Sequence, residues 1–188
     1  SEGLDKNTLV IFTSDNGPWL LCKQEGGSPG PLKDGKASMF EGGFRVPCIM
    51  WGAMVKPGYI TDMASTLDLL PTFCEIAGIP LPSDRHYDGI SLLNVLKDKS
   101  TCKLDVFYFY RGSELYAIRK GKYKAHFSYR PAYGATDKIV YDKPVLYDLG
   151  TDPGELYNIA EEHPDIVQEL TMLANAHKAS LKIAKSIF

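Results

Sequence analysis

Residues 8–13, TLVIFT, form a continuous apolar and β-branched run. That is the pattern of a strand buried on both faces of a parallel sheet, not of one with a solvent side. Directly after it stand Ser14, Asp15, Asn16, Gly17 and Pro18, a dense turn signal. Polar residues in that position fall at the carboxyl end of the strand, where open α/β sheets hold their ligands. Such a strand needs neighbours on both edges and helices above and below. The chain offers only one other parallel candidate, residues 46–51 (VPCIMW). The sheet is therefore expected to be incomplete within this chain, with its remaining strands supplied by further sequence or by a second polypeptide.

The stretch 22–45 is rich in glycine and polar residues and is long for a casual connection, which is typical of a functional loop. Residues 65–78, STLDLLPTFCEIAG, predict a helix with Asp68 as its cap, Pro71 in the first turn and Gly78 at its end. Leu69, Leu70, Phe73, Ile76 and Ala77 make its apolar face, and a shorter helix is expected over 91–96. Beyond residue 103 the pattern changes to short aromatic and β-branched runs at 106–110, 115–119, 122–129 and 145–149, with Gly121 at a hairpin turn. Apolar residues at helical spacing from Pro164 to about Lys185, Ala184 among them, predict an amphipathic helix covering that antiparallel sheet.

The near balance of 21 basic and 23 acidic residues, with no run of five like charges, leaves no electrostatic footprint for nucleic acid. No apolar stretch is long enough to span a membrane. Cys22, Cys48, Cys74 and Cys102 form no C-x-x-C pair, which speaks against zinc or thioredoxin-like chemistry. Cys48 and Cys74 lie in apolar surroundings and are expected to be buried, whereas Cys22 and Cys102 are expected to be exposed or bridged.

Asp15 and Asn16 place a carboxylate and an amide oxygen side by side at a strand end, both hard ligands of the kind calcium or magnesium accepts. Lys36 follows 21 positions after Asp15, within the glycine-rich loop. A lysine there can pair with a tetrahedral anion such as sulfate or phosphate. Taken singly, D-N-G is an ordinary Asx turn and Lys36 an ordinary surface charge. The combination, after a buried strand, gives the functional reading its weight.

The segments TLVIFTSDNGP, GGSPGPLKDGKASMFEGGFRVPCIMW, STLDLLPTFCEIAG, DGISLL, RKGKYKAHF and LYDLGTDPGELYNI, in that order, resemble the sulfatase family over essentially the whole chain. The likeness is strongest to its arylsulfatase A and N-acetylgalactosamine-6-sulfatase group. The resemblance implies the C-terminal part of an alkaline-phosphatase-like α/β sandwich in residues 1–103, followed by a small antiparallel sheet with a C-terminal helix in 104–188. It implies that Asp15 and Asn16 are calcium ligands and that Lys36 is the catalytic lysine that contacts the sulfate group. It further implies a formylglycine nucleophile, made from the cysteine of a C-x-P-S-R segment, with the remaining ligands and catalytic histidines in the N-terminal part of such enzymes.

None of the four cysteines stands in such a segment, and His86, His126, His163 and His177 match no catalytic histidine of the family. All four histidines are read as structural or surface residues. Glu41, Gly42, Gly43 and Arg45 are expected to fix the loop carrying Lys36, and the D-P-G-E turn at 152–155 to be a scaffold feature of the small sheet. The implied activity is sulfuric ester hydrolysis, with this chain alone inactive. The alternatives are a phosphate or phosphonate ester hydrolase of the same superfamily, or a non-catalytic module. Implied partners are a sulfated glycan, lipid or aryl sulfate, the rest of the same enzyme, and a second copy of the chain. The implied compartment is lysosomal, secreted or periplasmic.

Overall fold

A computed structural model describes residues 2–98, 101–102, 104–131 and 137–181. The chain divides into two compact units, Ser1–Asp15 with Pro47–Asp105, and Asn16–Val46 with Val106–Phe188.

In the first unit, β1 (Leu9–Thr13) pairs with β2 (Cys48–Gly52), Leu9 opposite Gly52 and Thr13 opposite Cys48. The pairing is antiparallel, which corrects the expected parallel neighbour. An apolar run reports how much cover a strand requires and carries no sign for its direction. The expected burial on both faces is also not met within this chain: Phe12 is 67% and Ile49 63% exposed. Cys48 is exposed as well, against expectation, while Cys74 is buried; all four cysteines are free.

A single 3₁₀ turn, Thr66–Asp68, leads into α2 (Leu69–Ala77), the second helix after the short α1 (Glu41–Phe44) of the other unit. Asp68 does not cap α2 with its side chain. Its Oδ2 instead accepts the Ser65 amide at 2.7 Å, while the Ser65 hydroxyl accepts the Leu67 amide at 3.1 Å, a capping box that starts the preceding turn. Oδ1 of Asp68 accepts the Ile90 amide at 2.8 Å. Thr72 donates to the Asp68 carbonyl at 2.6 Å and accepts the Leu92 amide at 2.9 Å. These bonds tie residues 90–92 and α3 (Leu93–Asp98) to α2. The side of α2 that becomes buried is Pro71, Thr72 and Cys74, whereas Leu70 and Phe73 of the expected apolar face stay exposed. Gly78 ends the helix at φ 67°, the left-handed conformation a glycine adopts without strain.

The second unit is built on a four-stranded antiparallel meander, β3 (Val106–Arg111), β4 (Glu114–Lys120), β5 (Tyr123–Tyr129) and β6 (Ile139–Asp148), in that spatial order. Gly112 and Gly121 make the first two turns, with φ of 61° and 54°. Helix α4 (Pro164–Ser180) begins with proline in its first turn, where no amide donor is needed. Its Leu170 and Ala174 close a core with Leu115, Ile118, Ala125 and Leu146 of the sheet. The helix stops at Ser180, Leu181 of the expected span being already extended, and residues 182–185, Ala184 among them, lie outside the described residues.

The opposite face of the sheet is covered by the loop that ends in α1 (Glu41–Phe44). Met39 packs with Phe109, Tyr116 and Ala117, and Phe40 with Tyr147 and Leu149. Sheet alternation assigns the strands to these two covers. Ala125 of β5 faces the helix, and its neighbours Lys124 and His126, both fully buried, face the loop.

Candidate functional site

At the end of β1, Asp15 is exposed and closes its unit, while Asn16 is half-buried and opens the second. Within that second unit the Gly17 amide donates to the Gly43 carbonyl at 2.9 Å, and the Lys36 amide donates to the Pro18 carbonyl at 2.9 Å. These two bonds seat the turn after Asn16 against the loop of Lys36. A Cβ on Gly17 would stand 1.8 Å from the Gly42 carbonyl oxygen, so the approach requires glycine. Lys36 is half-buried, its ammonium 5.4 Å from the centroid of the Trp19 ring, within cation–π range.

Asp34 and Ala37 flank Gly35 and Lys36 with φ of 63° and 73°. Non-glycine residues in that region cost about 1–2 kcal/mol each and persist only where the surroundings impose them. The imposing element is α1. The Gly42 amide donates to the Lys33 carbonyl at 2.9 Å. A Cβ on Gly43 would lie 2.2 Å from the Ser38 carbonyl oxygen. Glycine at both positions lets the backbone of α1 lie directly on the loop.

Glu41, the first residue of α1, is 2% exposed and is held through both carboxylate oxygens. Oε1 accepts from the Lys124 ammonium at 3.0 Å and Oε2 from the Arg119 guanidinium at 3.2 Å. Its amide donates to Glu155 Oε2 at 2.6 Å. Glu155 Oε1 lies 3.2 Å from Lys124 Nζ and 2.7 Å from His126 Nε2, and the Glu155 carbonyl accepts from Lys33 Nζ at 3.1 Å. The Lys33 ammonium also stands 4.1 Å over the Phe40 ring.

Burial acts most strongly on Glu155 and disfavours its charge. The His126 hydrogen bond and the Lys124 ammonium outweigh it and hold the carboxyl below its usual range. For His126 burial prevails over its bond to Glu155 and pushes the imidazole pKa down to about 4. The ring is therefore neutral at pH 7, donates through Nε2, and leaves Nδ1 without a hydrogen-bond partner among the described residues. Burial likewise drives the Tyr147 phenol up to about 12.

Of the residues singled out in the sequence, Asn16 and Lys36 thus lie on adjoining segments of one unit, and Glu41 braces the loop of Lys36 as expected. Glu155 does more than the scaffold role assigned to its turn. It carries a buried charge that reaches the loop 114 positions earlier. Lys33, Arg119 and Lys124 do not stand out in the sequence, and His126 does so only as a structural residue. The signal for two of them is the polar alternation Lys124, His126, Ser128 in β5.

Among the described residues, no three His, Cys, Asp or Glu side chains gather to hold a metal ion. Asp15 and Asn16 offer one carboxylate and one amide oxygen, donors of the right hardness for calcium but short of the about six to eight it takes.

The fold is alkaline-phosphatase-like, shared with solved sulfatases. A sulfatase from Pseudoalteromonas sp., PsFucS1, superposes with a TM-score of 0.81 at 29% identity, covering 92% of this chain and 37% of that one. A Bacteroides thetaiotaomicron sulfatase, BT33336S-sulf, gives 0.74 at 32% identity over 94% of this chain and 40% of its own. The family model described as Sulfatase matches residues 1–79, and the one described as the C-terminal region of aryl-sulfatase matches residues 103–188. Human arylsulfatase A is 39% identical over 91% of this chain, and mouse N-acetylgalactosamine-6-sulfatase 34% identical over 95%. The chain belongs to the sulfatase family. It spans 38% of the length of the human relative and 39% of the mouse one.

Proposed function

We propose that the protein of which this chain is the C-terminal portion hydrolyses sulfuric esters. In this reading Asp15 and Asn16 are calcium ligands and Lys36 binds the sulfate group. The observation that carries it is the pair of backbone bonds, Gly17 to Gly43 and Pro18 to Lys36, that seats the turn after Asn16 on the loop of Lys36. Residues 1–103 then contribute to the catalytic α/β domain, and 104–188 form the small C-terminal domain. That division is supported by the separate family matches over 1–79 and 103–188.

Lys36 supplies a positive charge to a sulfate oxygen, with the Trp19 ring 5.4 Å from the ammonium limiting where it can go. Asp15 contributes charge and Asn16 a neutral oxygen, so a bound cation keeps a net positive field toward an anionic ester. Calcium there would act as a Lewis acid and template for the sulfate oxygens. The formylglycine nucleophile would come from a C-x-P-S-R segment, in which none of this chain's cysteines stands. The 188-residue chain by itself is accordingly inactive in this reading.

The substrates that fit are sulfated glycans, sulfolipids and aryl sulfates, and the compartment is lysosomal, secreted or periplasmic. No helix among the described residues is long and apolar enough to cross a membrane. The exposed Phe12, Ile49, Leu70 and Phe73 are apolar surface that the remaining α/β domain would cover. The test is turnover of p-nitrophenyl sulfate by the complete protein beside its Asp15→Ala and Lys36→Ala variants. Loss in both is expected, and unimpaired turnover in both overturns the reading. Running p-nitrophenyl phosphate in parallel separates a sulfatase from a phosphatase.

A further inference from the structure

We propose that Glu155, together with Lys124, is a positioning residue for Lys36: a clamp by which the C-terminal sheet sets the place of the anion-binding loop. The proposal rests on the reading of Lys36 given above and goes beyond it to the residues that act through it.

Two ties run from Glu155 to the loop. Its carboxylate takes the Glu41 amide at 2.6 Å, and its carbonyl takes the Lys33 ammonium at 3.1 Å. A third contact closes the set, since a Cβ on Gly154 would meet the Pro31 carbonyl oxygen at 2.9 Å. Lys124 joins Glu155 and Glu41 by lying 3.2 Å and 3.0 Å from their carboxylates. From Glu41 the connection continues through Gly42 and Gly43 into the backbone of residues 33–38, and Lys33 is itself three positions from Lys36. Every step is a direct hydrogen bond or a backbone contact.

Glu155 is held in an unusual conformation to do this. Its φ is 50°, the left-handed region, although it is not a glycine. Stability alone does not call for such an arrangement. Buried ion pairs are often matched or bettered by apolar residues of the same volume. What charged, two-oxygen contacts add is direction. Both oxygens of Glu41 and both of Glu155 are engaged, which fixes the rotation of each carboxylate and so the height of α1 above the sheet. An ammonium displaced by about 1 Å from a sulfate oxygen can cost on the order of a hundredfold in rate.

The experiment uses the complete protein and compares Glu155→Gln, Lys36→Ala and the double variant. The readouts are KM and kcat for an aryl sulfate, and the rise in melting temperature produced by inorganic sulfate, which requires no turnover. Glu155→Gln is expected to raise KM and weaken sulfate protection by about tenfold. In the Lys36→Ala background it is expected to add nothing, because residues acting through one contact are non-additive. Unchanged sulfate affinity in Glu155→Gln overturns the proposal, and so do fold-changes that multiply in the double variant. A Lys36→Ala protein with full sulfate affinity and turnover instead overturns the assignment of Lys36, which tells the two failures apart. Should Glu155→Gln not fold, Lys33→Met removes the tie to the Glu155 carbonyl, together with the ammonium over the Phe40 ring, and leaves both carboxylates of the cluster in place. It is expected to weaken sulfate protection about threefold, and unchanged protection overturns the clamp.

Discussion

The main-chain amide of Glu41 donates to the side-chain carboxylate of Glu155 at 2.6 Å, joining a glycine-rich loop to a turn 114 positions later. Around that bond lie Lys124, Arg119 and His126, so a polar cluster is enclosed between loop and sheet beside the apolar contacts of Met39 and Phe40.

Lys124→Met is expected to destabilise the protein by about 3–5 kcal/mol, the usual cost of removing one partner from a buried ionic cluster. Lys124 has no exposed surface, and both Glu41 and Glu155 rely on it. Urea denaturation of the complete protein measures it, and a change below about 1 kcal/mol would contradict the assigned role.

Stability should fall as the pH drops from about 6.5 to about 4. The His126 imidazole has a folded pKa of about 4, against an ordinary histidine value of 6.5. In that window the unfolded chain binds the proton and the folded one does not, so acid favours unfolding. The full difference is on the order of 3 kcal/mol. Glu155, lowered by its partners, acts in the same sense further down. Its stabilisation is present above the unfolded carboxyl pKa and is lost as the pH falls through the folded one. Replacing His126 with Gln should flatten the pH dependence between 4 and 6.5. A slope equal to that of the parent would show that the imidazole is not the titrating group.

Gly42→Ala is expected to shift the loop. A Cβ there would lie 2.2 Å from the Asp34 carbonyl oxygen and 2.4 Å from that of Lys33, both backbone atoms that cannot swing away. About 1–3 kcal/mol of stability should be lost, with weakened protection by inorganic sulfate. Gly30→Ala is the control. At φ 62° with open space around it, it should cost about 1 kcal/mol in backbone strain alone and leave sulfate protection unchanged.

Thr72→Val removes a hydroxyl that accepts the Leu92 amide and donates to the Asp68 carbonyl. A buried amide left without an acceptor costs about 1–3 kcal/mol. Thr72→Ser keeps the oxygen and should lose less than half as much. Thermal melting of the two variants side by side decides it, and a loss in Thr72→Ser as large as that in Thr72→Val would contradict the role given to the hydroxyl.

Local chemistry was legible from residues alone wherever it depends on near neighbours. The meander announced itself through the runs at 106–110, 115–119, 122–129 and 145–149 with Gly121 at a turn, although β6 begins earlier, at Ile139, and α4 announced itself through its spacing and Pro164. The stop at Gly78 was visible for the same reason: a left-handed residue after a helix is decided by the absence of one Cβ. Asp15, Asn16 and Lys36 could be picked out by type and order. The direction of β2 could not, because an apolar strand pattern is the same read parallel or antiparallel. Nor could the side of α2 that becomes buried, which Thr72 and Asp68 settled through bonds to Leu92 and Ile90.

By itself, then, the sequence determined most of the segments that become strands and helices and which family supplies their pattern, since these follow from short-range sterics and the spacing of side chains; α1, the first part of β6 and the end of α4 at Ser180 were not among them. Only the tertiary structure decided that the polar stripe of Lys124 and His126 is enclosed beneath the loop of Lys36 and meets Glu155 there. Charges in sequence carry no record of which distant partner will neutralise them. That partner emerges only when the sheet and the loop exclude water together.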